Sequence, residues 1–351
     1  VQIQENISLA PYTTLRIGGP ARYLARITSE DELVEAVSLA RARGWTIFVL
    51  GGGSNLVVPD EGFPGLVLQI AFPPAIVRED GSAALFFDVS AGTNWDALVL
   101  DLCQQGISGM ECLAGIPGLV GGSPIQNIGA YGQEVSQVIE SVRALDLATL
   151  EFVTFSNADC RFSYRSSFFN QDGRGGYVVT RVRFRLDPAA TPNLSYGDLA
   201  PLRGTHPTPL DVYHAVRAIR DRKGMLIDPA NPSADARSAG SFFKNPIVSA
   251  DTVPLIGEAL GIPEGEIPNW PAGAGWVKLP AAWLIERAGF PKGFALSPES
   301  PVAISTRHTL ALTNRSGCAR CADLLALRDH LVAAVRAKFG IVLEQEPVML
   351  R

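Results

Sequence analysis

The chain has 351 residues, 47% of them hydrophobic and 19% charged, and a net charge of −5. This profile excludes a disordered chain and a generally basic nucleic-acid binder and suits two or three globular domains; charge that holds an anionic ligand must be local. With no basic-then-apolar leader and no run of ~18 apolar residues to span a bilayer, a cytoplasmic protein without membrane or nucleic-acid partners is expected.

Residues 12–27, rich in Thr, Gly and β-branched side chains, read as two short extended segments around Gly18-Gly19. Ser29 and Glu32 then form a capping box for a helix with Leu33, Val34, Ala36, Val37 and Ala40 on its apolar face, stopped by Gly44. Apolar strands follow at 46–50 and 66–70, the first running into Gly51-Gly52-Gly53-Ser54-Asn55. A strand at 86–90 and a helix at 94–105, ended by Gly106, come next. At 177–186, Val178, Thr180, Val182 and Phe184 alternate with Val179, Arg181, Arg183 and Arg185, as in a half-buried strand. Thr208 and Pro209 open a helix that closes at Gly224. The last third holds a helix around 281–288, a strand at 309–313 and a long helix at about 318–338 with the stripe Leu324, Leu327, Leu331 and Val335. After Gly340, a final strand at 341–343 leads to Glu344 and Glu346.

The five cysteines (Cys103, Cys112, Cys160, Cys318, Cys321) are odd in number and unevenly spaced, which fits a reducing compartment and not a disulfide framework. Cys318 and Cys321 form a C-x-x-C with no second pair or histidine cluster, so they read as one face of a helix, and no metal site is expected.

Two glycine-rich segments stand out. Gly51-Gly52-Gly53-Ser54-Asn55 could be a plain tight turn, or a nest in which consecutive N–H groups face one anion. It is neither the dinucleotide fingerprint nor a P-loop. Gly115-Ile116-Pro117-Gly118 continues through Gly122 to Asn127, Gly129, Ala130 and Tyr131 with little charge. Two such stretches suit backbone wrapped around an extended, diphosphate-bridged cofactor such as FAD.

Together these segments resemble flavoproteins of the vanillyl-alcohol-oxidase type. Phe162-Ser163-Tyr164-Arg165-Ser166-Ser167-Phe168, Ala239-Gly240-Ser241-Phe242-Phe243-Lys244-Asn245-Pro246 and Leu343-Glu344-Gln345-Glu346 resemble, more narrowly, the UDP-N-acetylenolpyruvoylglucosamine reductases of peptidoglycan synthesis. Thr14-Leu15-Arg16-Ile17-Gly18-Gly19 and the segment from Trp283 to Gly289 also fit, so the likeness covers nearly the whole chain in order.

The resemblance implies an α+β fold: FAD-binding subdomains at 1–70 (completed by 339–351) and 71–207, and a substrate-binding domain at 208–338. It implies non-covalent FAD, NADPH as co-substrate, and UDP-N-acetylglucosamine enolpyruvate as substrate, in a protein expected to be a monomer. Hydride would pass from NADPH to flavin N5 and then to substrate C3, and a proton would reach C2. The family pattern places the proton donor at Ser241 and the groups that polarise the substrate carboxylate at Arg165 and Glu346. The charged fork of Arg165 suits a carboxylate, and Glu346 would be protonated to face an anion. Tyr164, Tyr196, Lys244, Asn245 and His308 match substrate-side positions, Tyr196 as the loop tyrosine of the larger subtype. As a lone residue each has a plainer reading: a turn serine, a surface arginine, a solvated glutamate, a turn aromatic or a structural histidine.

One departure concerns the nucleotide site. The family's lysine ahead of an Asp-Pro pair is Met225 here, before Asp228-Pro229, with Lys223 the nearest lysine. Two other readings stay open: an oxidase of the same fold, and a flavin-binding protein without turnover. An N-terminal histidyl tether to flavin is impossible, since no histidine precedes His206.

Overall fold

A computed structural model describes residues 1–227 and 233–351. The Asp228-Pro229 pair lies outside the described residues. Contacts divide the chain into two units, Val1–Ile7 with Ala21–Gly53 and Phe63–Asp221, and Ser8–Pro20 with Ser54–Gly62 and Arg222–Arg351.

In the first unit, four strands lie in the order Ile3–Ser8, Pro20–Ile27, Phe63–Ile70, Ile47–Leu50, and Phe63–Ile70 pairs in parallel with both of its neighbours. Helix α1, Glu30–Ala42, is the crossover that carries the chain from Pro20–Ile27 over Phe63–Ile70's place in the sheet to Ile47–Leu50 on its other side. Ser29 caps α1 by accepting the Glu32 N–H at 3.1 Å, and Glu32 reaches back to the Thr28 N–H and hydroxyl at 2.7 Å. Leu33, Ala36, Val37 and Ala40 are buried, as the helical spacing requires.

An antiparallel sheet runs Phe152–Ser156, Ile139–Asp146, Tyr177–Leu186, Leu85–Ser90, Ile76–Asp80. On Tyr177–Leu186 the expected alternation holds from Thr180 onward, with Thr180, Val182 and Phe184 buried and Arg181 and Arg183 reaching outward to Asp88 and Glu79. Val179, expected on the outer face, is buried beside Val178, where the pairing with Ile139–Asp146 shifts register. Helix α2, Trp95–Gln104, is capped by Asn94, and helix α3, Pro209–Arg222, by Thr208. One core joins both sheets and all three helices.

The second unit has its own core. It holds helices α4, Thr252–Leu260, α5, Ala281–Arg287, and α6, Cys321–Phe339, beside three small sheets. Asp60 accepts the N–H groups of Cys321 and Ala322 and so satisfies the first turn of α6. No helix of the described residues is long and apolar enough to cross a membrane.

Several local expectations change. Ahead of Gly18-Gly19 there is a 3-10 turn, Ala10–Tyr12, and the extended segment lies earlier, at Ile3–Ser8. The strand expected at 309–313 is Leu312–Asn314, paired with Val302–Ile304, because 305–308 is spent on a turn held by the Ser305 hydroxyl. Residues 341–343 are not a strand. The C-terminal pairings come later, as a bridge from Gln345 to Phe243 and a parallel ladder of Val348–Met349 on Leu56–Val57. Cys318 lies exposed before α6 and only Cys321 begins it, buried, so the two do not share a helical face.

Candidate functional site

The two glycine-rich loops meet back to back in the first unit. A Cβ at Gly52 would lie 2.6 Å from the Cα of Gly118, so only glycine allows this approach. A Cβ at Gly51 or Gly122 would meet no protein atom within 4 Å. The pair therefore forms a cradle of bare backbone, open where side chains would otherwise stand. Such a surface fits a diphosphate-bridged cofactor, whose phosphates need N–H groups at close range.

Behind the cradle, the Gly115 peptide is fixed at both ends. Its N–H goes to Asp96 Oδ1 at 2.6 Å and its carbonyl takes Arg220 Nε at 3.0 Å. Asp96 is held in turn by the Tyr213 hydroxyl at 3.2 Å and by Arg217. Burial, with Asp96 beside it, pushes the Tyr213 phenol up to about 12, so it stays a donor. Arg220 is 7% exposed, and burial lowers its pKa against the pull of Tyr131 and Asp96. An arginine stays charged under such desolvation. Asp96, Arg217 and Arg220 escaped the sequence reading. The available signal was position: Arg220 falls on the buried stripe of α3 with Val212, Tyr213, Val216 and Ile219, where a cation needs a reason.

Farther along the same unit, Asn127 is buried with φ +48, and its side chain serves Ser136 N–H, the Ser163 carbonyl and Glu134. It shapes the turn that presents Gly129, Ala130 and Tyr131. Arg165, at φ +54 in the tight 163–166 hairpin, donates Nη2 to the Gly129 carbonyl at 2.9 Å and lies 5.3 Å from the Tyr164 ring centre. A non-glycine residue at such φ is uncommon and marks a position where side-chain direction matters. Tyr196, 43% exposed, sets its ring edge-on to Tyr131 at 5.3 Å.

In the second unit, the segments that carry Ser241 and Glu346 pair although far apart in sequence. Phe243 bridges Gln345 antiparallel, Glu346 N–H donates to the Phe242 carbonyl at 2.9 Å, and Lys244 N–H to the Glu344 carbonyl at 2.9 Å. Phe242 and Phe243 are fully buried and anchor the segment, with Gly240 at φ +71 turning the chain into Ser241. Upstream, the Ser238 carbonyl takes the Thr14 hydroxyl at 2.6 Å. Ser54 and Asn55 fall in this unit, where the Asn55 carbonyl accepts Val348 N–H. Lys244 Nζ lies 3.3 Å from Glu344, and Asn245 Oδ1 takes the Ala281 N–H that opens α5, so that side of the amide is structural. His308 sits in the 305–308 turn, its N–H on the Ser305 hydroxyl.

Asp235, buried just before the Ser241 segment, binds the Thr306 N–H and hydroxyl at 2.8 and 2.7 Å. Burial pushes its pKa up, but the bonds from Thr306 and Ser305 and the nearby Arg307 outweigh this and hold it low. A depressed carboxylate stabilises the fold above its unfolded pKa of about 4 and loses that contribution as pH falls through the folded value. Asp235→Asn should therefore lower the melting temperature at pH 7, and its gap from wild type should shrink below about pH 4. A gap that is constant with pH would contradict this assignment.

Models of two protein families match the chain: "FAD binding domain" over residues 21–156 and "UDP-N-acetylenolpyruvoylglucosamine reductase, C-terminal domain" over 231–350. Relatives called UDP-N-acetylenolpyruvoylglucosamine reductase include those of Thermobifida fusca, 48% identical over 98% of this chain and 97% of theirs, and Streptomyces avermitilis, 45% identical over 99% and 95%. The chain belongs to the UDP-N-acetylenolpyruvoylglucosamine reductase family. It is thus an FAD-binding oxidoreductase of the expected α+β class. The crystal structure of the reductase from Thermus caldophilus is similar over the full length of both chains, with a TM-score of 0.66 at 28% identity. In this chain the cradle glycines and Tyr131 fall in the first matched range and Ser241 and Glu346 in the second, while Tyr164, Arg165 and Tyr196 lie in the interval between.

Proposed function

We propose that this chain uses NADPH to reduce UDP-N-acetylglucosamine enolpyruvate to UDP-N-acetylmuramate in peptidoglycan synthesis. The reading is carried by one observation above all: the bridge from Phe243 to Gln345, which lays the backbone of the Ser241-Phe242-Phe243 segment along that of Gln345-Glu346. Gly51, Gly52 and Gly53 and the Gly115-Gly118 and Gly129-Tyr131 turns would hold FAD non-covalently, and the flavin would supply the hydride relay between NADPH and C3 of the enolpyruvyl group.

The remaining work falls to side chains. Addition at C3 leaves electron density at C2 and on the carboxylate, which needs cations or hydrogen-bond donors at close range. Arg165, aimed by its bond to Gly129, would pair with the carboxylate in a fork. Glu346 would serve the same anionic intermediate, and the Ser241 hydroxyl would deliver its proton to C2. Tyr164, Tyr196, Lys244 and His308 would contact the nucleotide sugar. In this scheme residues 1–207, completed by 339–351, hold the cofactor, and 208–338 bind the substrate.

An absorption spectrum followed by anaerobic titration tests the reading. Flavin bands should bleach with NADPH and return when the enolpyruvyl UDP-sugar is added. Bands that return only with oxygen would favour an oxidase, and absent bands in a folded, FAD-supplemented sample would overturn the proposal.

A further inference from the structure

Glu111 is fully buried in a short turn, Glu111–Leu113, directly ahead of the Gly115 loop. Its carboxylate receives three uncharged amide donors: Gly109 N–H at 2.6 Å, Gln133 Nε2 at 2.8 Å and Asn193 N–H at 2.8 Å. Burying a charge is costly unless it is hydrogen-bonded on all sides, so these donors are not interchangeable decoration. They come from three separate stretches of chain. Gln133 belongs to the turn that carries Tyr131, and its own Oε1 takes the Cys112 N–H at 2.8 Å. Asn193 begins the loop that carries Tyr196.

From Asn193 the lock extends outward. Its Nδ2 donates to the Gly132 carbonyl at 3.1 Å, its Oδ1 accepts Ser195 N–H at 2.9 Å, and its carbonyl takes the Cys112 thiol at 3.2 Å. Burial and the Glu111 charge push that thiol up, so it remains a donor. Arg203 closes the far side, with Nε on the Leu194 carbonyl at 2.9 Å and Nη2 on that of Ser195 at 2.8 Å. Gly132, at φ +84, holds a backbone conformation that a side chain would strain, and a Cβ there would stand 2.7 Å from Ser195 Oγ, which would have to swing aside.

We propose that Glu111 is a positioning residue for substrate capture, whose carboxylate locks the Tyr196 loop onto the Tyr131 turn. The ligand's identity rests on the function proposed above; the lock does not. A carboxylate is required because it accepts on both oxygens, whereas the amide of glutamine replaces one acceptor with a donor. Glu111→Gln keeps the volume and sets N–H against N–H.

The test uses the FAD-loaded protein. With FAD kept saturating, since Gln133 borders the Gly129-Tyr131 turn proposed to help seat the cofactor, the rate of flavin reduction by NADPH should stay within ~2-fold of wild type in Glu111→Gln. KM for UDP-N-acetylglucosamine enolpyruvate should rise ~10-fold with little change in kcat, as expected for one lost charged hydrogen bond, and trypsin should cut faster after Arg203. In a Tyr196→Ala background, Glu111→Gln should add less than ~2-fold to KM. An unchanged KM, or an equal rise without Tyr196, overturns the lock. Should Glu111→Gln fold poorly, Asn193→Ala breaks the outer bonds alone and carries the same expectation. Should the wild type not turn over this substrate, the functional reading fails by itself, and trypsin still decides the lock: equal cleavage of variant and wild type overturns it.

Discussion

Ser241→Ala is expected to leave the reduction of bound flavin by NADPH within ~2-fold of wild type while slowing transfer to the enolpyruvyl UDP-sugar by ~100-fold to ~10,000-fold, the usual loss for a removed general acid. The substitution takes away one hydroxyl and little else. The backbone at this point is set by neighbours: Gly240 at φ +71, the Phe242 N–H on the Leu310 carbonyl at 2.8 Å, and the buried rings of Phe242 and Phe243. Stopped-flow absorbance with NADPH and nucleotide sugar mixed in sequence separates the two half-reactions. Equal loss in both would mean a disturbed cofactor, and no loss in the second would remove Ser241 from proton delivery.

Much of what positions this serine was legible locally. Gly-Ser has a plain reading as a turn serine, and the structure shows a bend at Gly240 followed by the buried Phe242 and Phe243. The pairing of its segment with that of Glu346 was legible only through family likeness, because the bridge from Phe243 to Gln345 spans more than a hundred residues and leaves no periodic trace. The apolar run Ile341-Val342-Leu343 looked like the strand, since Ile341 and Leu343 are buried and Val342 is exposed. A strand needs a partner as well as a pattern, and the partners, Phe243 and Leu56–Val57, meet the chain only from Gln345 onward.

Other omissions have similar causes. Ile139–Asp146 pairs with Tyr177–Leu186 through register shifts near Ile139 and between Arg143 and Ala144, so Ala144 and Leu145 are both buried and the two-residue period is broken. Helix α4 was obscured by Pro254 and Gly257. Proline is harmless in a first turn, and a Cβ at Gly257 would sit 2.9 Å from the Ile262 carbonyl. Glu111 and Arg220 were passed over because a charged residue inside an apolar stretch looks incidental until its partners are seen. By contrast, Tyr177–Leu186 and α1 were legible because alternation and a capping box are local signals.

Gly52→Ala should weaken FAD binding and lower the melting temperature of the apoprotein. The added Cβ would lie 2.6 Å from Gly118 Cα and 3.3 Å from its carbonyl carbon. Both obstacles are backbone, and Gly118 itself sits at φ +129, so neither can swing aside as a side-chain end would. Overpacking of this kind costs ~1–3 kcal/mol, and because the strain falls on both cradle loops at once, FAD affinity should drop by ~5-fold to ~150-fold. Gly51→Ala separates the causes. Its Cβ meets no protein atom within 4 Å, so the apoprotein should melt as wild type does, and any loss of FAD must come from a clash with the cofactor. Flavin absorbance per chain and apoprotein melting curves for the two variants decide the matter. If Gly52→Ala keeps its flavin at wild-type affinity, the cradle formed by Gly52 and Gly118 is not where the cofactor is held; if both variants lose flavin but only Gly52→Ala loses stability, bare backbone is needed twice, once for the protein and once for the ligand.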